Sequence, residues 1–358
     1  MKIGIMSMQR ITNYGSFLQA YALKNIIKSL GHKVEFVDYR IGEPVEKDDT
    51  LIKNVHVGNA KLILRLITKK LLKREVYFIE RYKKMLFKLG VTEKMRYNTP
   101  VDTLVIGSDE VFNCLQANPD VGYSPELFGK DANAKKIISY GASFGTTTVE
   151  RLHEYGKYDE VKGYLEKIDK LSARDENTAH VLSDMGITDY EMNLDPVLIY
   201  DFTNEVKTKG NLKDYIVVYS YAGRIKDEKE IAAIKEFARK HGKKIVTVGY
   251  HQSFSDIKLD ADAFELLGYI KDADFVVTDT FHGTIFSTIM RKQFVSIIRD
   301  SNREKLSFLL EKLELSDRQL KNPDDMESLL TTKIDYTKTA AVIEKERQHT
   351  MEYLKNNL

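Results

Sequence analysis

The carboxyl-terminal half of the chain contains the stretch DFVVTDTFHGTIFST, residues 274–288. Its apolar start predicts a buried strand, the sequence TDT predicts a tight polar turn, and the remainder predicts a helix whose start includes His282 and Gly283. The first turn of a helix presents backbone N–H groups without intrahelical partners and the positive end of the helix dipole, which favours a phosphate or carboxylate. Histidine can transfer a proton near neutral pH. The stretch therefore predicts a site for chemistry on a small anionic substrate.

Strand-like and helix-like segments alternate along most of the chain. In the second half we predict strands at 215–220, 244–248, 275–278 and 294–297, and helices at 227–241, 262–271, 283–291 and 303–313. In the first half we predict strands at 2–6, 34–38, 103–106, 136–140 and 171–174, and helices at 15–30, 149–168 and 176–185. This alternation is typical of α/β proteins with parallel sheets.

The length of 358 residues suits two domains better than one. Pro196 and the polar residues after it suggest a linker. We therefore predict an N-terminal domain over 1–196, a C-terminal domain over 197–336 and a final helix over 337–358. A helical insertion at about 45–98 interrupts the first domain.

Composition excludes several classes of protein. The net charge of +2 gives no signature of nucleic-acid binding, and a single cysteine, Cys114, excludes an intramolecular disulfide and a cysteine-based zinc cluster. No apolar run is long enough to span a membrane, and the start does not resemble a signal peptide, so we expect a cytoplasmic protein. No Walker motif, Gly-x-Ser-x-Gly elbow or aspartate-rich metal cluster is present in the sequence, which gives hydrolases and metalloenzymes little support.

The segment 60–89 is basic and amphipathic, because lysines and arginines alternate there with leucine, isoleucine and phenylalanine. One interpretation is an inserted helix with a solvated face. The other is docking on an anionic membrane surface, at the inner face of the membrane, or on a lipid-linked substrate.

Small and polar residues in the 280–284 turn add to the predicted anion site. Gly283 would leave the backbone approachable, and Thr280 and Thr284 would add hydroxyl donors. The turn lies at the predicted carboxyl end of a strand, where open α/β sheets bind ligands. The alternative for His282 is a hydrogen-bonded histidine of the core.

Three further turns follow predicted strands of the first half. Arg174 could grip a carboxylate or phosphate with two hydrogen bonds, or it could form a local ion pair with Asp175 or Glu176. Asp109, after Ser108, could orient or deprotonate a sugar hydroxyl, or it could cap a turn. The turn Asn13-Tyr14-Gly15-Ser16 occupies the position of a phosphate-binding loop but lacks the glycine-rich sequence, so Asn13 or Ser16 could simply cap the helix.

These turns together resemble the polysaccharide pyruvyl transferase family. The matching segments, in chain order, are 13–16 (NYGS) with 18–23 (LQAYAL), 107–113 (GSDEVFN), 140–145 (YGASFG), 172–175 (SARD), 194–197 (LDPV) and 278–284 (TDTFHGT). The ordered set is more specific than any one of its members.

The resemblance implies two Rossmann-like domains that face a cleft, as in GT-B glycosyltransferases. It implies phosphoenolpyruvate as the donor, a hexose hydroxyl on a glycan or lipid-linked sugar as the acceptor, a pyruvate ketal as the product, and no cofactor or metal. The resemblance implies that His282 acts as an acid/base. The implied donor site also includes Thr280, Gly283 and Thr284. Arg174 would bind the donor's phosphate or carboxylate, and Asp109, Ser108 and the turn Asn13–Ser16 would face the acceptor.

One position departs from the resemblance. Better-known members of the family carry an arginine two residues before this histidine, and here that residue is Thr280. Arg224, Arg291 and Arg299 are the candidates to replace its charge. Two alternatives stay open on sequence grounds: a GT-B glycosyltransferase that uses a nucleotide-sugar, and a non-catalytic glycan-binding relative.

Overall fold

The computed structural model describes residues 1–46, 80–116, 118, 120–207 and 212–358. By contacts the chain divides into unit 1, which comprises Met1–Met192 and Lys355–Leu358, and unit 2, which comprises Asn193–Leu354. The sequence-predicted boundary falls slightly later, after residue 196. Most of the segment 337–358, predicted as a separate helix, belongs to unit 2.

Unit 1 is built on a six-stranded parallel sheet with the order β2-β1-β3-β4-β5-β6. The strands are β1 Lys2–Met6, β2 Lys33–Phe36, β3 Val101–Asp109, β4 Ala134–Ala142, β5 Leu171–Ala173 and β6 Tyr190–Met192. The helices are α1 Tyr14–Ser29, α2 at 80–89, α3 Val149–Glu154, α4 Tyr158–Leu165 and α5 Glu176–Asp184. Strand order reverses between β1 and β3, and open α/β sheets bind ligands at such a switch point, outside the carboxyl ends of the strands.

Unit 2 contains a second six-stranded parallel sheet with the order β12-β11-β10-β7-β8-β9. The strands are β7 Tyr215–Tyr219, β8 Lys244–Val248, β9 Ile257–Leu259, β10 Phe275–Thr278, β11 Gln293–Ile297 and β12 Gln319–Leu320. The helices are α6 Pro196–Ile199, α7 Glu228–Lys240, α8 Ala263–Asp272, α9 Phe281–Ile289, α10 Arg303–Lys312, α11 Met326–Thr331 and α12 Thr337–Asn357. Here the order reverses between β7 and β10.

The sequence-based prediction of one helix over 149–168 is wrong. The structure has α3 and α4 there, separated by a turn at Gly156 whose φ is +62°. Glycine adopts this left-handed conformation without the steric cost that a Cβ imposes, so it ends a helix readily. The prediction also missed β6, β9 and β12, which have two or three residues each and show no clear alternation of apolar and polar positions.

The basic segment 60–89 lies mostly outside the described residues, of which it includes only 80–89. Within the described part of the chain, no helix is long and apolar enough to cross a membrane.

Candidate active site

The carboxyl end of β10 leads directly into α9, as the sequence predicts. Thr280 is the N-cap of this helix, and its Oγ1 accepts a hydrogen bond of 2.9 Å from the backbone N–H of Gly283. Such a cap fixes the start of the helix because it satisfies a donor that has no intrahelical partner. His282 is therefore held in the first turn of α9, next to the positive end of its dipole.

The imidazole of His282 lies beside a buried carboxylate. Its side chain is 13% exposed, and its Nε2 lies 3.6 Å from Oδ2 of Asp195, which is fully buried. Nε2 has no hydrogen-bond partner among the described residues. The distance is too long for a hydrogen bond but within range of electrostatic attraction. A small movement of the ring would therefore join His282 to Asp195, and Asp195 can orient the ring.

The two residues after His282 pack inside unit 2. A Cβ on Gly283 would lie 2.0 Å from Oγ1 of Thr278 and 2.8 Å from Cδ1 of Tyr219, so the close approach here is to protein atoms. The hydroxyl of Thr284 is fully buried, donates to the Thr280 carbonyl at 3.1 Å and lies 2.7 Å from Oγ of Ser296. These contacts give both residues a structural function, and their predicted roles in donor binding stay predictions.

A charged cluster surrounds Asp279, the residue before the N-cap. Its fully buried Oδ2 lies 3.2 Å from Nε of Arg299 and 3.3 Å from Nε of Arg224. Arg299 follows β11 and Arg224 follows β7, the two strands that flank β10. Two of the three arginines proposed from the sequence therefore lie at the end of β10, whereas Arg291 follows the last turn of α9, at the other end of that helix.

The two arginines of this cluster differ in how many of their donors are occupied. Arg299 also donates from NH1 and NH2 to the two carboxylate oxygens of Glu230, at 2.6 and 2.7 Å. All three of its nitrogens are thus engaged. Arg224 donates from NH2 to Oγ of Ser301 at 3.1 Å, and its NH1 has no hydrogen bond to the described residues. Arg224 is about a quarter exposed and can take an anionic ligand.

In unit 1, Asp109 joins two of the turns predicted from the sequence. Its Oδ2 accepts a hydrogen bond of 2.6 Å from Oγ of Ser16. Asp109 has φ of +100°, a conformation that side-chain-bearing residues rarely adopt. Burial raises the pKa of Tyr39 and of Tyr82, and the negative charge of Asp109 adds to both effects. The Asp109 carboxylate therefore lies at the end of β3, close enough to both tyrosines for its charge to raise their pKa.

Arg174 follows β5 and is almost completely buried. Its NH1 lies 3.9 Å from Oδ1 of Asp109, and its Nε lies 3.9 Å from Oδ2 of Asp175. The ion pair with Asp175 that the sequence left as an alternative is present. The contact with Asp109 was not predicted, because Arg174 was assigned to the donor and Asp109 to the acceptor. Arg174 belongs to unit 1, whereas the other predicted donor residues belong to unit 2.

The remaining unit 1 candidates have local structural partners. Oδ1 of Asn13 accepts from the backbone N–H groups of Gly15, at 2.7 Å, and Ser16, at 3.4 Å, so Asn13 caps α1. Tyr14 and Ser108 are buried. Oγ of Ser108 donates to the carbonyl of Gly141 at 2.9 Å. Within this group, the side chain of Ser16 contacts a predicted catalytic carboxylate, that of Asp109.

Sequence reasoning did not select Asp195, Asp279 or Glu230 as site residues. Asp195 is the N-cap of α6, and the sequence Asp-Pro at 195–196 is a recognisable signal for that function. Nothing local indicates that its second oxygen faces His282. The only cysteine is no candidate nucleophile, because burial raises the pKa of the Cys114 thiol and keeps it protonated.

Comparison with solved structures defines the class of fold. The chain is similar to the UDP-GlcNAc 2-epimerase from Methanocaldococcus jannaschii, with a TM-score of 0.51, 13% identity and coverage of 99% of both chains. It also matches the S. aureus MnaA–UDP structure, with a TM-score of 0.49, 12% identity and coverage of 99% of this chain and 97% of that one. The match to the M. jannaschii epimerase, together with the two parallel sheets, confirms the predicted α/β, GT-B-like fold with two Rossmann-like parts.

Comparison at the sequence level identifies the family. A search of curated protein sequences gave no match. The sequence profile described as polysaccharide pyruvyl transferase matches residues 13–301, and the chain therefore belongs to the polysaccharide pyruvyl transferase family. It is a transferase of polysaccharide biosynthesis, and the predicted resemblance is confirmed.

Proposed function

We propose that the protein transfers a pyruvyl group from phosphoenolpyruvate to two hydroxyls of a hexose in a surface-polysaccharide precursor, forming a pyruvate ketal. Family membership supports the type of transfer. The observation that carries the assignment to residues is His282, held in the first turn of α9, with the arginines around Asp279 at the preceding strand end.

The chemistry requires one proton donor and one anion site. Protonation of the methylene carbon of phosphoenolpyruvate converts it to a methyl group and leaves cationic character at C2. A sugar hydroxyl attacks C2 to form one C–O bond, the C2–O bond to phosphate breaks, and a second hydroxyl forms the other C–O bond. The two hydroxyl protons balance the proton consumed at the methyl group and the one taken by phosphate.

The unit 2 residues fit the donor half of this reaction. His282 would deliver the proton, with Asp195 orienting its ring. The NH1 group of Arg224 has no hydrogen bond to the described residues, and Arg224 would bind the phosphate or carboxylate of the donor near the start of α9. Arg224 would thus place a guanidinium near the position where Thr280 lacks one, while Arg299 is shared between Asp279 and Glu230.

The unit 1 residues fit the acceptor half. Asp109 would accept the proton of the attacking hydroxyl, and Ser16 would position that carboxylate through its 2.6 Å hydrogen bond. Arg174 would hold the other oxygen of Asp109 by electrostatic attraction. The predicted binding of the donor by Arg174 remains part of the proposal.

Incubation with phosphoenolpyruvate and a panel of lipid-linked sugars tests the proposal. We expect release of inorganic phosphate coupled to a ketal adduct detected by mass spectrometry. Absence of the adduct on every acceptor, beside a competent control transferase, would contradict it. Thermal stabilisation by UDP or GDP but not by phosphoenolpyruvate would favour a glycosyltransferase that uses a nucleotide-sugar.

Replacing Arg224 by glutamine is expected to raise KM for phosphoenolpyruvate by roughly 10- to 100-fold, because a hydrogen bond between charged groups contributes about 1.5–3 kcal/mol. Steady-state kinetics measure the change. The matched control is Arg239→Gln, because among the described residues Arg239 pairs only with Glu236, on the surface of α7. An equal KM in both variants would contradict the assignment of Arg224.

The proposed membrane contact predicts a role for Phe87. In α2 its side chain is 74% exposed, and the exposed Lys83, Lys84 and Lys88 surround it in sequence. We expect Phe87→Glu to weaken co-sedimentation with anionic vesicles by about tenfold or more, because burial of a phenyl ring contributes about 1.5–3 kcal/mol.

The control for this experiment is Ile41→Glu, which changes an exposed apolar residue outside α2. Binding of the unmodified protein should weaken as salt rises, because the attraction to anionic lipid is screened. Equal binding to neutral and anionic vesicles would contradict the membrane contact.

A further inference from the structure

Unit 2 contains a cavity of about 520 Å³ at the end of α9 remote from His282. Its apolar wall includes Phe202, Ile289 and Ile343, and the ring of Tyr336 adds to it. A volume of this size lies within the range of about 300–1,000 Å³ that is usual for small-molecule sites. The reaction proposed above does not use this cavity.

Nearly all polar side chains of the lining have a hydrogen-bond partner, either within the lining or outside it. The occupied groups are Tyr336 OH to Lys292 O (2.5 Å), Tyr200 OH to Glu205 (2.7 Å), Thr203 Oγ1 to Asp201 (2.6 Å), Thr288 Oγ1 to Thr284 O (2.9 Å), Thr339 Oγ1 to Leu313 O (2.9 Å) and Arg347 NH1 to Glu344 (2.9 Å). Because these hydroxyls are occupied and each carboxylate accepts a hydrogen bond from another lining residue, the rest of the wall offers a ligand mainly apolar surface.

Two cations of the lining, Lys271 and Arg291, differ from these groups because their charged ends have no partner among the described residues. Neither Lys271 Nζ nor the Arg291 guanidinium makes a hydrogen bond or ion pair with any residue in the described ranges. Lys271 lies in the last turn of α8, and Arg291 follows the end of α9. Each cation therefore offsets the negative end of a helix dipole. That effect explains a cation at each position, but it does not explain why both line one cavity. The acids of the lining, Asp201 and Glu344, accept hydrogen bonds from Thr203 and Arg347 of the same lining rather than from Lys271 or Arg291.

We propose that this cavity binds a small amphiphilic anion. A carboxylate or phosphate head would lie between Lys271 and Arg291, where its charge is complementary to theirs. An aliphatic body would lie against the wall formed by Phe202, Ile289 and Ile343. The assignment is independent of phosphoenolpyruvate, whose site lies at the other end of α9.

Isothermal titration with four probes below their critical micelle concentrations tests the proposal. Decyl phosphate and decanoate are expected to bind, and decyltrimethylammonium is expected not to bind. Inorganic phosphate is expected to bind at least tenfold more weakly than decyl phosphate, because it lacks the apolar body. Equal affinity for the cationic amphiphile, or for inorganic phosphate, would overturn the proposal.

Variants locate the bound anion. Lys271→Gln combined with Arg291→Gln is expected to weaken decanoate binding by about tenfold or more, whereas Lys258→Gln, at an exposed position on β9, is expected to leave it unchanged. Ala340→Trp, which fills the cavity from α12, should abolish binding while the thermal transition is retained. Unchanged affinity in the double variant would overturn the proposal whether or not the tryptophan variant folds.

Discussion

Replacing His282 by alanine is expected to lower kcat for pyruvyl transfer by about 10²–10⁴-fold, because a positioned acid/base group typically contributes that much to a reaction limited by proton transfer. KM for phosphoenolpyruvate should change little, because Arg224 and the first turn of α9 would still bind the anion. Steady-state kinetics and the rate–pH profile measure the effect.

His251 provides a matched control for this experiment. It is also in unit 2, its side chain is 11% exposed, and its Nε2 lies 3.0 Å from Oδ1 of Asp260. His251→Ala therefore removes a largely buried histidine that has a carboxylate partner but no place in the proposed reaction. Equal losses of kcat in the two variants would show that His282 acts through stability, and unchanged turnover in His282→Ala would refute its role as the proton donor.

Replacing Gly107 by alanine is expected to destabilise unit 1 by about 3–5 kcal/mol, because steric overlap and an unfavourable backbone conformation add together. Gly107 has φ of +120°, and a Cβ there would lie 2.3 Å from the backbone oxygen of Tyr140. That oxygen belongs to the neighbouring strand β4, whose register with β3 pairs these two residues, so it cannot move aside easily. Urea unfolding followed by circular dichroism measures the loss.

Gly163→Ala is the control for Gly107→Ala. Gly163 lies within α4, and a Cβ there would meet no atom within 4 Å. Alanine is favoured over glycine inside a helix, so we expect this change to stabilise the protein by about 0.5–1 kcal/mol. A loss of stability in Gly107→Ala no larger than about 1 kcal/mol would contradict the rigid approach of β3 and β4 at this point.

Local features of the candidate site could be predicted from the sequence. The strand at 275–278 is confirmed at its predicted residues, and the helix after it begins at Phe281, close to the predicted start. Thr280 caps that helix and Asn13 caps α1. Such features depend on contacts between residues two to four positions apart, so the sequence contains the information for them.

Contacts between distant segments could not be predicted. Arg224 and Arg299 both reach Asp279 because β7 and β11 lie on either side of β10. Ser16 meets Asp109 because β1 and β3 are neighbours at the point where strand order reverses. Alternating strands and helices indicate a parallel sheet but do not specify the order of its strands.

The sequence by itself determined the α/β class, the family and the residues that stand at strand ends and helix starts, because periodicity, caps and turns are short-range properties of the chain. Only the tertiary structure decided which strand ends are neighbours, and with that which charges meet. It placed Asp195 beside His282, positioned Arg224 and Arg299 around Asp279, and assigned Arg291 to a separate cavity. The physical reason is that these contacts follow from the order of strands in each sheet and from the packing of helices such as α6 against α9, which depend on distant parts of the chain.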